Sequence, residues 1–151
     1  MIMTLNELLT KQNVITKIML KDGDKELSKE LKVKIMRLRM MYNKIKKAFD
    51  TEVQEFANEL ITNEFKTLDA KANKTEEEIR KHSEMLTAFN AEYQEFIAQK
   101  GKEAVQDIDD SFTEEDYFEI IEVNAGNDVE INGRTIAAVD FLEAFCELFV
   151  K

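Results

Sequence analysis

A run of apolar residues with coiled-coil spacing constrains this chain more than any other feature. The run consists of Leu31, Ile35, Leu38, Tyr42, Ile45 and Phe49. Alternating intervals of four and three residues place these side chains in one narrow stripe of an α-helix, which must pack against a partner. We call this stripe the heptad seam. Because Phe56 and Leu60 continue its rhythm, it predicts a helix from about Asp24 or Ser28 to about residue 70.

The composition is compatible with long helices. The 151 residues include no proline, which would break helix interiors. Hydrophobic residues make up 44% and charged residues 34%, which favours a folded chain over a disordered one. The single cysteine, Cys146, excludes an internal disulfide framework and a multi-cysteine zinc site. We find no signal-peptide core and no long apolar run, so we expect a soluble intracellular protein without a membrane segment.

Two capping boxes predict where further helices begin. Thr4–Glu7 predicts an N-terminal helix over roughly residues 4–20, and Thr75–Glu78 predicts a helix that ends near Gly101. This later helix repeats the 3.5-residue spacing of the heptad seam. We therefore expect the two long helices to pack as an antiparallel hairpin with coiled-coil contacts.

The C-terminal third has a different pattern. Residues 106–116 are acidic and predict a loop or a short helix, and the β-forming residues of Tyr117–Val123 predict a strand. Asn132-Gly133 lies between two short apolar runs and predicts a β-hairpin with a type I′ turn. Ala137–Val150 returns to helical spacing, with an apolar stripe that consists of Phe141, Leu142, Phe145, Leu148 and Phe149.

Together these patterns predict a mostly α protein of the α+β class. It would contain a long antiparallel helical hairpin, an N-terminal helix, and a small C-terminal module of a β-hairpin and a helix. We expect residues 1–102 to form the helical region and residues 103–151 the acidic α+β module. The second region would pack on the first as one domain.

Charge is distributed unevenly along the chain. The net charge is −10, yet residues 1–50 carry 12 basic against 6 acidic side chains, whereas residues 103–151 carry 2 against 14. A basic front and an acidic back can attract each other within one molecule or head to tail between copies.

No residue cluster predicts catalysis, a metal site or a cofactor. The only histidine, His82, lies at a heptad position of the later helix. No second histidine or cysteine lies four residues away to complete a zinc pair. The acidic run from Asp107 fails as an EF-hand, because Phe112 and Phe118 occupy the positions that require glycine and glutamate. We therefore expect a protein that is not an enzyme and that takes no small-molecule substrate.

The basic face of the long helix raises the question of nucleic acid. It consists of Lys25, Lys29, Lys32, Lys34, Arg37, Arg39, Lys44, Lys46 and Lys47. The negative net charge and the lack of aromatic platforms beside it argue against nucleic-acid binding. A protein partner, or the acidic C-terminal region, is the expected counterpart. Met36, Met40 and Met41 form an adaptable apolar cluster that could widen a contact at this level of the helix.

The order of these elements resembles a family. The corresponding segments are Leu5-Asn6-Glu7-Leu8-Leu9, Leu31-Lys32-Val33-Lys34 and Tyr42-Asn43-Lys44-Ile45-Lys46-Lys47, followed by the charged hairpin and the small acidic module. In this respect the chain is similar to small, functionally uncharacterised helical proteins encoded in the structural-gene modules of tailed bacteriophages. The resemblance spans most of the chain. It implies a phage origin and a protein-binding role, and it supplies no catalytic residues.

The leading hypothesis is a non-enzymatic virion component or assembly chaperone, present in the cytoplasm of the infected host or in the virion. We expect binding to a protein partner or self-association through Leu31, Ile35, Leu38, Tyr42, Phe141 and Phe145. The alternative is a small acidic inhibitor of a bacterial defence system, similar in kind to an anti-CRISPR protein, which would block a nucleic-acid-binding groove. Its motivation is the acidic surface of the last third of the chain.

Overall fold

The computed structural model describes residues 3–151 and confirms a mostly α, α+β protein. Six helices account for most of these residues: α1 (Leu5–Ile15), α2 (Lys29–Leu60), α3 (Asn63–Ala70), α4 (Glu76–Gly101), α5 (Glu114–Asn124) and α6 (Ala138–Phe149). The strands are short: β1 (Met3–Thr4), β2 (Lys21–Asp22), β3 (Lys25–Glu26), β4 (Ala104–Val105), β5 (Val129–Ile131) and β6 (Arg134–Ile136). They form three antiparallel pairs, β1–β4, β2–β3 and β5–β6. No helix in the described part of the chain is long and apolar enough to cross a bilayer.

The chain divides into two compact units. Unit 1 combines the residues up to Ile45 with Ala104–Lys151, and unit 2 consists of Lys46–Glu103. The boundary at 103/104 lies one residue from the one expected from the sequence. The other boundary falls within α2, so the N-terminal residues belong to the same unit as the acidic C-terminal residues.

Unit 1 has one hydrophobic core. Its fully buried centre consists of Leu8, Ile15, Ile35, Leu38, Tyr42, Ile120, Phe145 and Phe149. The N-terminal half of the heptad seam, from Leu31 to Tyr42, lies in this core. It therefore packs on the inner sides of α1, α5 and α6, which come from distant parts of the chain.

Backbone pairing closes unit 1 around this core. Met3 pairs with Val105, which joins the first strand to the residues that follow α4. The amide of Phe112 donates to the carbonyl of Phe149 at 2.7 Å, and the amide of Lys151 donates to the carbonyl of Phe112 at 3.2 Å. These bonds hold the segment before α5 against the end of α6.

Unit 2 is the helical hairpin that the seam predicts. Phe56 and Phe96 stack with ring centroids 4.1 Å apart, and the Lys100 ammonium lies 2.9 Å from the Glu52 carboxylate. Because earlier residues of α2 meet later residues of α4, the two segments are antiparallel. The hairpin is confirmed for this part of the chain.

The long helix ends earlier than predicted. α2 stops at Leu60, and α3 starts afresh after Thr62, whose hydroxyl accepts a hydrogen bond from the Phe65 amide at 3.1 Å. A capping side chain offers the backbone an alternative to continued helix. The new direction lets Phe65 and Leu68 become buried on α4. The N-terminal helix is also shorter than expected, because α1 ends at Ile15.

The predicted strand over Tyr117–Val123 is wrong, because these residues lie in α5. The helix begins at a capping box in which the Thr113 hydroxyl accepts from the Asp116 amide and the Asp116 carboxylate accepts from the Thr113 amide. Ile120 and Val123 are buried at helical spacing. A strong start signal and tertiary packing outweigh the β propensity of the side chains.

The predicted type I′ turn is present. Asn132 and Gly133 have φ angles of 52° and 77° in the β5–β6 hairpin, as a type I′ turn requires. Gly23 also has a left-handed φ, of 60°, in the turn of the β2–β3 hairpin.

Candidate interaction surface

The six side chains predicted to bind a partner are buried within unit 1. The exposed fraction is 3% for Leu31, 2% for Phe141 and 0% for Ile35, Leu38, Tyr42 and Phe145. A side chain without solvent exposure cannot contact a partner in the folded protein. The prediction of a binding surface at these positions is therefore corrected. Their apolar spacing reflects packing within the chain, on α1 and on elements more than sixty residues away in sequence.

A polar cluster fixes the orientation of α2 in unit 1. The Tyr42 hydroxyl donates a hydrogen bond to the Asp110 carboxylate, and the Lys11 ammonium lies 2.8 Å from the same oxygen. Burial is the main cause that raises the pKa of the Tyr42 phenol, and the hydrogen bond to Asp110 and its negative charge add to it. The cluster holds one side of α2 towards the core, which determines which side faces solvent.

The solvent-facing side of α2 is apolar at its centre. Val33, Met36 and Met40 are 55%, 52% and 73% exposed. At 3.6 residues per turn they lie on the opposite side of the helix from Leu31 and Leu38. We call these three residues the methionine patch. Because the seam already fills the core, no element of unit 1 covers the patch among the described residues.

Basic side chains surround the methionine patch. The α2 segment in unit 1 carries six basic residues and a single acid, Glu30. Three of the six are engaged within unit 1. Lys32 pairs with Glu26, Lys34 donates to the Ser111 carbonyl, and Arg39 donates to the carbonyls of Ile15 and Ile18.

The other three basic residues of this segment point outward. Lys29, Arg37 and Lys44 are exposed and form no ion pair within the described residues. They lie on the same side of α2 as the methionine patch. The result is an apolar centre with a positively charged border, which is a suitable contact surface for an acidic protein segment with an apolar anchor.

A second exposed surface of unit 1 has the opposite charge. Phe118 on α5 is 61% exposed, and Glu114, Glu115 and Glu122 are exposed around it at distances of three and four residues in sequence. We call these four residues the acidic face. None of its glutamates forms an ion pair in the described chain. The neighbouring Glu119 accepts hydrogen bonds from the amide and the hydroxyl of Ser28. No lysine or arginine occurs between Lys102 and Arg134.

Unit 2 carries an apolar groove of about 290 Å³. It is lined by Ala57, Leu60, Ile61, Phe65, Leu86, Phe89, Asn90 and Tyr93. Two of these side chains, Phe65 and Phe89, are in edge-on contact, with ring centroids 5.0 Å apart. The groove combines aromatic walls with one amide and offers no charged group to orient a ligand.

His82 and Asp110, which the sequence offered as candidates for metal binding or catalysis, take part in packing and hydrogen bonds within the protein. His82 stacks on Phe65 at 5.1 Å and lies 2.9 Å from an oxygen of Asp69 on the neighbouring helix. Asp110, from the acidic segment predicted as a loop or short helix, is 5% exposed and belongs to the polar cluster. Within residues 3–151, no group of three or more histidine, cysteine or acidic side chains is placed to hold a metal ion.

The chain matches no protein-family model, and its similarity to curated proteins and to solved structures is not significant in any case. A functional proposal therefore depends on the surfaces themselves.

The sequence predicted that Met36, Met40 and Met41 form one adaptable cluster that could widen a contact. Met41 does pack against the core, whereas Met36 and Met40 lie on the outer side of the helix. The relevant signal was the recurrence of apolar residues at positions 33, 36 and 40, opposite the seam. Phe118 was missed because its segment was predicted to be a strand.

Proposed function

We propose that this protein is a non-enzymatic interaction protein of a tailed bacteriophage, acting as a virion component or as an assembly chaperone. It would act in the cytoplasm of the infected host or within the virion. The phage origin comes from the sequence resemblance. The interaction role is supported by one observation above all, the exposed methionine patch with its border of unpaired basic residues.

An exposed apolar patch of this kind favours unwanted association in a protein that has no binding partner. Methionine side chains on a surface promote association, and they adapt to partners of different shape. The opposite side of α2 packs in the core and is held by Tyr42. The backbone under the patch is therefore fixed, and only the side chains of the patch can adapt. Binding to it would require little ordering of the backbone, which favours affinity.

Site-specific photocrosslinking tests this proposal. A photoreactive amino acid replaces Met40 in the full chain, which is expressed during infection by the phage that encodes it. A matched control carries the same amino acid at Ile79, an exposed apolar position of α4 in unit 2. We expect crosslinks to a phage structural protein from position 40 and not from position 79. Equal crosslinking from both positions, or no structural protein among the products, would contradict the proposal.

The second candidate is a small acidic inhibitor of a bacterial defence system. The observation in its favour is the exposed acid on both C-terminal helices, including Asp140, Glu143 and Glu147 on α6. Such a surface could imitate the phosphates of a nucleic acid in a basic groove. A photoreactive residue at Phe118 would then crosslink to a host nucleic-acid-binding protein.

Charge reversal on α6 separates the two candidates. Changing Glu143 and Glu147 to lysine would weaken an inhibitor strongly, because its binding depends on total negative charge. The same change leaves the methionine patch intact, so virion incorporation would continue under the leading proposal. Loss of incorporation with full inhibition retained would contradict both expectations.

A further inference from the structure

The two exposed surfaces of unit 1 are complementary in chemistry. The methionine patch has an apolar centre and a border of Lys29, Arg37 and Lys44. The acidic face has one exposed aromatic ring, Phe118, and a border of three glutamates. Methionine sulfur makes favourable contacts with aromatic rings, and lysine or arginine forms strong hydrogen bonds with carboxylates.

The apolar centres of the two surfaces do not meet within one molecule, because Met36, Met40 and Phe118 are all exposed. The methionine patch lies opposite the side of α2 that carries Ile35 into the core, and Phe118 lies opposite the side of α5 that carries Ile120 into the same core. Both helices thus turn these surfaces away from a shared interior. Any contact between them must join two copies of the chain.

We propose that the methionine patch of one copy binds the acidic face of a second copy, so that the protein associates head to tail. This inference rests on the proposed function, since it names a partner for the same patch. Phe118 would insert between Met36 and Met40. The surrounding glutamates would bind the three basic side chains that have no partner within unit 1.

Head-to-tail contact has a consequence for assembly. Each copy uses two different surfaces, so a bound pair still has one free patch and one free acidic face. With such heterologous contacts, further copies can add until the assembly closes into a ring or grows into a filament. This differs from a symmetric dimer, in which both copies use the same surface and growth stops at two.

Two single substitutions test the contact. Met40→Glu places a negative charge in the methionine patch, and Phe118→Lys places a positive charge in the acidic face. Both positions are exposed, so folding should be retained, which circular dichroism and urea unfolding check. Matched controls at other exposed apolar positions are Ile79→Glu and Val139→Lys, which are 55% and 64% exposed in the unchanged protein.

Sedimentation velocity over a range of concentrations provides the measurement. We expect the mass of the unchanged protein and of both controls to rise with concentration beyond a dimer. Each test variant alone should remain a monomer. An equimolar mixture of the two test variants should form a dimer and nothing larger, because Phe118→Lys retains an intact patch and Met40→Glu retains an intact acidic face.

Three outcomes would overturn the inference. They are a monomer at all concentrations, association that survives either substitution, and a mixture of the two variants that fails to form dimers. The last result would indicate a symmetric contact. Crosslinking from position 40 to a phage structural protein, with a monomer in sedimentation, would leave the proposed function intact while this inference fails. Self-association with no crosslink to a structural protein would support this inference and contradict the proposed function.

Discussion

The Tyr42 hydroxyl and the Asp110 carboxylate are hydrogen-bonded inside unit 1, although 68 positions separate them in sequence. Lys11 neutralises the same carboxylate from α1 at 2.8 Å. One oxygen atom thus connects the first helix, the long helix and the segment before α5. A buried carboxylate with two donors is stabilising only while both remain.

Tyr42→Phe should therefore destabilise the protein. The change removes a hydrogen bond to a charged group, for which we expect a loss of about 1.5–3 kcal/mol in the free energy of unfolding. Urea unfolding followed by circular dichroism measures it. Tyr93→Phe in unit 2 is the control, since the Tyr93 hydroxyl has no hydrogen-bond partner among the described residues. Equal losses for the two variants would mean that the hydrogen bond contributes nothing.

The same contact predicts a loss of stability at alkaline pH. Burial, assisted by Asp110, raises the pKa of Tyr42 above its ordinary value of 10.0. Above about pH 10 the unfolded chain releases this proton while the folded protein retains it, so the unfolded state is favoured. The contribution is complete below that pH and declines as pH rises. Tyr42→Phe should show a shallower alkaline decline than the unchanged protein, and parallel curves would count against this assignment.

Truncation of the side chain should have very different effects on stability at two nearby positions of α2. Leu38→Ala removes a fully buried side chain and should lower the free energy of unfolding by about 2–5 kcal/mol. Met40→Ala removes a 73% exposed side chain and should change it by no more than about 0.5 kcal/mol. Chemical denaturation of the monomeric protein at low concentration provides the comparison. Similar costs at both positions would contradict the assignment of the inner and outer sides.

A side chain at Gly133 in the β5–β6 turn should lower stability through backbone conformation alone. Gly133 has a φ of 77°, and no atom lies within 4 Å of an added Cβ. Gly133→Ala should therefore cost about 1–2 kcal/mol through the left-handed backbone rather than through a clash. Gly126 is equally open without a positive φ, so Gly126→Ala should be neutral or slightly stabilising. Thermal unfolding of the two variants tests this prediction. An equal shift of the unfolding temperature in both would exclude a role for φ.

Local signals predicted local structure well. The Asn132-Gly133 turn and the capping boxes at Thr4 and Thr75 depend on residues within four positions of each other, and each is present. Tyr117–Val123 was predicted wrongly because its composition favours a strand, whereas the helix is set by the Thr113 capping box and by packing on α6 and the β2–β3 hairpin.

The candidate surface could be predicted only in part. Spacing identified a helix with a packed stripe, but it could not identify the partner of that stripe. That partner is the unit 1 core, whose members Ile108, Ile120 and Phe145 follow Tyr42 by more than sixty residues. Once those contacts are known, the outer side of α2 becomes the available surface. The functional hypothesis therefore moves from Leu38 to Met40, two positions along the same helix.

The division of the chain has a consequence for its synthesis. Unit 2 lies between the two parts of unit 1 in sequence, so the ribosome completes it while α5 and α6 are still missing. Until those helices emerge, α1 is the only helix of unit 1 that can cover the inner side of α2 around Ile35. The nascent chain therefore passes through a stage with a partly open apolar surface, which α5 and α6 cover once they are made.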